Sequence, residues 1–367
     1  AGGVPPGAGQ PREGAEKMSG LSLRSFRNFR RRYRWENVPK HRRQLTYVGL
    51  VATGCALTLQ AKFKECIEVV GNPAQVTSPN TLFWLRVLFG RTRSRFVGSL
   101  AEAHVPVAFR PTLYSAFAWK YGVDLDEVRY PLDSYRVFQD FFARELKEGC
   151  RPIAEGKDGL VSPVDGCVLK SGVITEENQR IEQVKGATYA VRSFLGVDPM
   201  LAKSEDSVVH YVVLYLAPGN YHRVHSPCKV RITSGRHFCG ELMPLREALL
   251  KRVDDIYSVN ERVVLSGKWQ FGNMHLTAVA ALHVGNIFLD FDEKLKTNKL
   301  RDIAVHCGGD ISSKIYPDGV ELGPGDRVGG FKMGSTVVLT FDAPRHFQWK
   351  VAEGECVKVG QPLGQAL

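Results

Sequence analysis

Short apolar runs separated by turn-forming residues dominate the chain from residue 158 to its end. Gly, Pro, Asn and Asp divide these runs, and apolar and polar positions alternate in the manner of strands. The clearest runs cover residues 208–216, 230–233, 276–280, 287–290 and 336–341. The pattern predicts a mainly antiparallel β domain over residues 151–367.

Two segments before this domain have a different pattern. Residues 44–61 carry no charge over 18 positions, near the lower limit of roughly 17–25 residues for a membrane-spanning helix. We expect a single transmembrane helix there, with a buried helix of a soluble domain as the alternative. In residues 62–150, apolar side chains mixed with arginines predict helices that lie on a lipid surface or pack on the domain with a basic face in water. The predicted fold class is therefore α+β.

The net charge of +11 is concentrated at the front of the chain. Residues 1–43 contain eleven Lys and Arg against three Glu and so account for +8. A nucleic-acid-binding domain would carry its basic surface on the folded part, so we expect no nucleic-acid partner. An Arg-rich, acid-poor segment is typical of a mitochondrial presequence. By the positive-inside rule, this disordered segment would stay on the matrix side of the inner membrane, with the β domain in the intermembrane space.

The eight cysteines are scattered through the sequence. None form a C-x-x-C pair, which argues against a zinc ribbon and against a thioredoxin motif. Their apolar surroundings predict thiols that are mostly reduced and structural.

Three short motifs of the β domain carry candidate chemistry. Asp165 lies in a Pro-x-Asp-Gly run, which by itself is a common β-turn. His222 and His225 stand three residues apart, an odd offset that puts them on opposite faces of a regular strand. They serve one site only if the backbone turns between them; otherwise one is a core and one a surface histidine. Gly334 and Ser335 open an apolar run, where they form a turn or a bond prepared for acyl transfer.

Taken in this order, the motifs resemble those of the phosphatidylserine decarboxylase family over roughly residues 132–367. Asp165, His222, His225, Gly334 and Ser335 match that family residue by residue. Met333 stands where the family usually has Leu, and the two side chains are nearly isosteric. The basic front and the single apolar span resemble the mitochondrial members.

The resemblance implies a chain that cleaves itself between Gly334 and Ser335. Asp165, His225 and Ser335 would form the cleavage triad, and Ser335 would become a covalent pyruvoyl cofactor. The products, residues 1–334 and 335–367, would stay together as a heterodimer, and a dimer of this pair is left open. The pyruvoyl group would form a Schiff base with phosphatidylserine, and His222 would supply the proton for decarboxylation to phosphatidylethanolamine. The resemblance implies neither a metal nor a diffusible cofactor.

Two alternatives from other functional classes remain at this point. Residues 353–361 have the hairpin rhythm of a non-catalytic lipoyl or biotinyl module, but no convincing lysine stands at an exposed tip. A Ser-His-Asp hydrolase would need Ser335 to keep its hydroxyl, and no G-x-S-x-G motif surrounds it. Only the decarboxylase interpretation predicts a split chain.

Overall fold

Antiparallel strands are the main regular secondary structure of the described chain. The computed structural model describes residue 98 and residues 100–366, except for 157–158, 176–179, 185–186, 199–206, 244–255, 282–285, 296, 298–310 and 334. The predicted segments at 1–43 and 44–61 lie outside these residues. Within the described part, no helix is long and apolar enough to cross a membrane.

In the described part of the chain, short helices and 3-10 turns flank the strands. The helices are α1 (Arg110–Tyr121), α2 (Phe138–Phe142), α3 (Val191–Leu195) and α4 (Ile256–Val259), and the 3-10 turns are Val107–Phe109 and Leu132–Ser134. Of the predicted helical region 62–150, the longest described helix is therefore α1. Gly122 ends it in a left-handed conformation. Pro131 directly precedes the 3-10 turn Leu132–Ser134.

The described strands number sixteen. They are β1 (Gly159–Val161), β2 (Gly166–Ile174), β3 (Arg180–Val184), β4 (Ala187–Ala190), β5 (Ser207–Leu216), β6 (Arg223–His225), β7 (Val230–Phe238), β8 (Arg262–Trp269), β9 (Gly272–Ala280), β10 (Ile287–Leu289), β11 (Ile311–Leu322), β12 (Arg327–Phe331), β13 (Ser335–Pro344), β14 (Gln348–Trp349), β15 (Cys356–Val357) and β16 (Pro362–Gln365).

These strands form one large sheet and three small ones. The large sheet has the order β11-β7-β8-β9-β13-β5-β2-β15, and the small ones are β1-β16-β14, β10-β12-β6 and β3-β4. Every pairing between these strands is antiparallel. The predicted antiparallel β domain is therefore confirmed, and β13 lies inside the large sheet between β9 and β5.

Both faces of the large sheet are buried at its central strand β13. On β13, Val337, Leu339 and Phe341 belong to one apolar cluster, whereas the intervening Val338 belongs to a second. Because the sheet is covered on both sides, consecutive residues of its central strands are buried, instead of buried and exposed residues alternating. This burial holds β13 in place on both faces as well as along both edges.

An aromatic cluster joins α1 to α2 and positions the residues that follow α2. Tyr114 stacks on Phe141 with ring centroids 4.6 Å apart, and Phe117 meets Phe138 edge to face at 4.9 Å. The cluster is separate from the two sheet clusters. It sets the direction of the chain through Phe142 to Arg144, which reaches the candidate site.

Candidate active site

Ser335 is the first residue of the central strand β13. Its backbone stands opposite Leu216 of β5 and Ala280 of β9. The β-branched residues Thr336, Val337 and Val338 follow it and favour a strand. Gly334, the other residue of the predicted cleavage site, lies outside the described residues.

A tight turn brings the two-histidine segment beside the chain that leads to Ser335. After β5 ends at Leu216, the Ala217 amide donates to Asn220 Oδ1 at 2.7 Å, and the Asn220 amide donates to the Ala217 carbonyl at 2.9 Å. The chain then returns as β6 along β12. The Phe331 amide donates to the His222 carbonyl at 3.0 Å, four residues before Ser335.

No turn separates the two histidines, and their rings have different neighbours. β6 continues from Arg223 to His225, so the odd offset keeps its usual consequence. The His222 ring packs on Phe142, with centroids 4.1 Å apart, whereas the His225 ring lies beside Tyr221 at 5.6 Å. Across the β6–β12 ladder His225 faces Arg327, so His222 is the nearer of the two to Ser335 along the chain.

His222 is a fully buried, neutral imidazole. Its Nδ1 lies 2.8 Å from the Asn220 carbonyl, which makes Nδ1 the protonated nitrogen. Its Nε2 therefore carries a lone pair, and it has no hydrogen-bond partner among the described residues. Burial lowers the pKa of His222 to about 3, although the Asn220 carbonyl opposes this shift. A buried nitrogen without a hydrogen bond lowers the stability of the folded protein. We therefore expect Nε2 to bind a group that takes part in the protein's function.

His225 is partly buried and held in one tautomer from both sides. Its Nδ1 lies 2.7 Å from the Gly325 carbonyl and so donates, which leaves Nε2 as an acceptor. The Tyr221 hydroxyl lies 3.1 Å from that Nε2. Burial raises the pKa of Tyr221 to about 12. Its hydroxyl is therefore protonated at pH 7 and donates a hydrogen bond to His225 Nε2. Burial also lowers the pKa of His225, so the ring is neutral at pH 7.

Asp165 is buried and bound by an arginine. Arg151 Nη2 lies 2.6 Å from Asp165 Oδ2, and Arg151 Nε lies 2.9 Å from Oδ1. The Val359 amide also donates to Oδ1, at 2.9 Å. Within the described chain no hydrogen bond joins Asp165 to His225, because the arginine and Val359 satisfy the carboxylate while Gly325 satisfies the ring. The His225 amide does bind the Pro163 carbonyl at 2.8 Å, so the two motifs are adjacent. The triad stays a prediction.

Arg151 and Arg144 lie at the candidate site, and neither was predicted from the sequence. Arg151 bridges Asp165 and Glu127, whose carboxylate lies 2.7 Å from Nη2. That hydrogen bond is the main cause of the lowered pKa of Glu127. Both arginines look like ordinary surface charges in the sequence, since burial of a cation depends on distant parts of the chain. The sequence feature that could have indicated them is the series of basic residues before β1, which includes Arg144, Lys147 and Arg151.

Cys167 and Cys356 form a disulfide. The two residues stand opposite each other where β2 pairs with β15. The expectation of mostly reduced cysteines is therefore wrong for this pair, because strand register brings together residues 189 positions apart in sequence. Cys150 and Cys228 carry free thiols. The bond joins one residue before Ser335 to one after it.

The described residues contain no group of three or more His, Cys, Asp or Glu arranged to hold a metal ion. The Ser335 backbone pairs with two strands, and the segment beside it carries Nε2 of His222, which has no hydrogen-bond partner among the described residues. The arrangement places an unprotonated imidazole nitrogen beside the chain that leads to Ser335.

Comparisons with known proteins show the family to which the chain belongs. The family model for phosphatidylserine decarboxylase matches residues 138–365. A Toxoplasma gondii protein named phosphatidylserine decarboxylase proenzyme 1, mitochondrial, is 45% identical over 324 residues, covering 88% of this chain and 75% of the relative. A Plasmodium falciparum phosphatidylserine decarboxylase proenzyme is 35% identical, covering 86% and 87%. A mitochondrial proenzyme of Arabidopsis thaliana is 37% identical, covering 77% and 73%. Neither the carrier module nor the hydrolase gains support from these matches. The chain is an enzyme, and it belongs to the phosphatidylserine decarboxylase family.

Proposed function

We propose that the protein converts phosphatidylserine to phosphatidylethanolamine and carbon dioxide, using a pyruvoyl group made from its own Ser335. The observation that carries the proposal is the position of Ser335 at the start of a central strand, next to a segment with two neutral imidazoles. Membership of the decarboxylase family supplies the reaction.

Self-cleavage would start with attack of Ser335 Oγ on the Gly334 carbonyl carbon. The peptide bond is exchanged for an ester, and the Ser335 amine is freed. Loss of the Ser335 α-proton then breaks the Cβ–O bond and releases the Gly334 carboxylate. Hydrolysis of the resulting enamine releases ammonia and leaves the pyruvoyl group on the new N-terminus. No external reagent other than water is consumed.

His225 is the proposed base for this attack. The Gly325 carbonyl keeps the proton of His225 on Nδ1, so Nε2 has a lone pair. This lone pair can accept the hydroxyl proton of Ser335 after the hydrogen bond from the Tyr221 hydroxyl to Nε2 breaks. Asp165 would act on His225 indirectly. It holds Arg151, whose guanidinium carbon lies 6.0 Å from the centre of the Tyr221 ring, and Tyr221 holds His225.

The fragment 335–367 should stay in place after cleavage. Its strand β13 pairs with β5 over ten residue positions and with β9 over seven. Asp165 accepts a hydrogen bond from Val359, and the disulfide to Cys167 provides a covalent link. These contacts support a heterodimer of residues 1–334 and 335–367.

His222 is the proposed proton carrier of the second reaction. When bound to the substrate amine, a pyruvoyl group supplies the electron sink for loss of carbon dioxide. Each decarboxylation consumes one proton, which must reach the carbon that carried the carboxylate. His222 Nε2 starts unprotonated, would take a proton from the solvent and would deliver it to that carbon. Asn220 fixes the orientation of the ring.

The activity is tested with purified protein and phosphatidylserine in detergent micelles, by measuring carbon dioxide and phosphatidylethanolamine in equal amounts. Because the proposed electrophile is a ketone, prior treatment with borohydride should reduce it to an alcohol and abolish turnover. Treatment with a chelator should leave the rate unchanged. Turnover that survives borohydride would contradict a carbonyl cofactor.

The disulfide gives a separate prediction. After self-cleavage, wild-type protein should migrate at full mass on a denaturing gel without reductant, because Cys167–Cys356 joins the two fragments. With reductant, the piece 335–367 should separate. Cys356→Ser should release it under both conditions, whereas Cys150→Ser, which removes a free thiol, should behave as wild type. Release of the small piece from unreduced wild type would contradict the link.

We propose that the enzyme is anchored in the mitochondrial inner membrane by residues 44–61, with its β domain in the intermembrane space. The disulfide supports an oxidising compartment, since the matrix and cytosol keep most thiols reduced. Exposed apolar side chains on and before α1 support contact with lipid; the most exposed is Trp119, at 88%. Val107, Phe109 and Leu113 are exposed with it.

A further inference from the structure

A cavity of about 290 Å³ lies between the residues after α2 and the chain before Ser335. Arg144, Arg223, Lys332 and Tyr130 are among its lining residues. A larger cavity of about 620 Å³ is lined by residues of β1, β7, β8 and β16, and none of the proposed site residues line it. The smaller cavity is therefore the one connected to the candidate chemistry.

Arg144 is a buried cation with unused donors. Its exposed fraction is 4%. Nη2 donates to the carbonyls of Gly219 at 2.8 Å and Asn220 at 3.2 Å, while Nε and Nη1 have no partner among the described residues. No carboxylate of the described chain forms an ion pair with it. Because Nε and Nη1 have no partner, the guanidinium can donate two hydrogen bonds to an oxyanion.

Neither carboxylate that lines the cavity forms an ion pair with Arg144 in the described structure: Asp140 is exposed, and Glu145 binds other arginines. Glu145 is already shared by Arg129, Arg223 and Arg327. Lys332 has no ion-pair partner in the described structure, and it lies three residues before Ser335. The cavity therefore combines a buried fork of donors with a second, more exposed cation.

One carbonyl connects this cation to the proposed proton carrier. The Asn220 oxygen lies 2.8 Å from His222 Nδ1 and 3.2 Å from Arg144 Nη2. An anion bound to Arg144 would therefore be linked to the His222 imidazole through the Asn220 carbonyl, which contacts both side chains.

We propose that Arg144, assisted by Lys332, binds the phosphodiester of the phospholipid head group, an inference that rests on the proposed function. The substrate offers two anions, a phosphate and a carboxylate. A cation on the carboxylate would stabilise the charge that the reaction must remove and would retard decarboxylation, because catalysis needs tighter binding of the transition state than of the substrate. The phosphate keeps its charge throughout, so the guanidinium fits the phosphate.

The test uses two soluble competitors that lack the carboxylate. Glycerophosphoethanolamine contains the phosphodiester, and ethanolamine does not. In Arg144→Lys, which keeps the charge but loses the fork, the inhibition constant of glycerophosphoethanolamine should rise about tenfold or more, the loss expected for a charge-assisted hydrogen bond. Lys332→Gln should raise it by a smaller factor, about threefold to tenfold. Ethanolamine should inhibit all forms equally.

Several outcomes would overturn the assignment. If Arg144→Lys raises the KM for phosphatidylserine but leaves inhibition by glycerophosphoethanolamine unchanged, the arginine binds the carboxylate. Lys332→Gln removes no buried group, so it tests the cavity even if the Arg144 variant fails to fold. Lys268→Gln, an exposed lysine on β8, is the matched control and should leave the inhibition constant unchanged. Wild-type protein that does not decarboxylate phosphatidylserine would instead contradict the proposed function.

Binding without turnover provides a second measurement. Calorimetric titration of glycerophosphoethanolamine into Ser335→Ala protein should show binding that Lys332→Gln weakens by the same factor, since the cavity does not include Ser335. Equal binding in the presence and absence of the Lys332 substitution would contradict its role. Inorganic phosphate should compete in the same titration if the phosphate oxygens are the recognised feature.

Discussion

Replacing Ser335 by alanine should leave the protein as one chain with no detectable decarboxylase activity. The hydroxyl is the nucleophile of the proposed acyl shift, and without it neither the ester nor the later ketone can form. Alanine fits a strand interior with little disturbance, so the variant should fold. The measurement is a reducing denaturing gel combined with carbon dioxide release, on which wild type should give two fragments and release carbon dioxide.

A second hydroxyl on the same strand provides the control. Thr340 is fully buried on β13, and its Oγ1 has no hydrogen-bond partner among the described residues. Thr340→Val should therefore cleave and turn over as wild type does, which separates loss of the nucleophile from disturbance of the strand. Cleavage of Ser335→Ala at the same bond would mean that a separate protease processes the chain.

Substitution of His225 should impair self-cleavage, and substitution of His222 should impair decarboxylation. His225→Ala should accumulate uncleaved chain, because Ser335 loses its base. His222→Ala should cleave substantially but decarboxylate about 10²–10⁴-fold more slowly, the usual contribution of a general acid or base. Each variant is assayed by gel and by carbon dioxide release from the cleaved fraction. His210 is a buried histidine of β5 that lies six residues before Leu216. The variant His210→Gln should behave as wild type in both assays.

The pH dependence of cleavage adds to this test. Because burial lowers the pKa of His225, the ring is already neutral at pH 7, and only its neutral form accepts a proton. The cleavage rate should therefore be level above pH 7 and fall as the pH drops through the lowered pKa. His222 is the nearer histidine to Ser335 in register, so an uncleaved His222→Ala protein would reverse the proposed roles.

The strands were the most predictable part of the fold. Residues 208–216 correspond to β5 within one residue, because a long apolar run between turn residues has few other solutions. Residues 230–233 mark only the start of β7, which continues to Phe238. Its later polar positions gave no apolar signal, and β8 and β11 provide the pairing that extends it.

The candidate site could be proposed from the sequence only where its residues stand in short motifs. Asp165, His222, His225 and Ser335 stand in such motifs, and the fold brings their segments together. The ion pair of Asp165 with Arg151 and the unused donors of Arg144 depend on burial, which no local pattern specifies. The disulfide likewise depends on the register between two strands from opposite ends of the domain.

The intact mass of the purified wild-type protein, after reduction, tests the central claim most directly. The account predicts two species: a large chain that ends with the carboxylate of Gly334, and a fragment 335–367 that is lighter by one ammonia than its unmodified sequence. The fragment should resist Edman degradation and react with a hydrazine, because its N-terminus is a ketone. A single chain in active protein, or a fragment with a free Ser335 amine, would contradict the account.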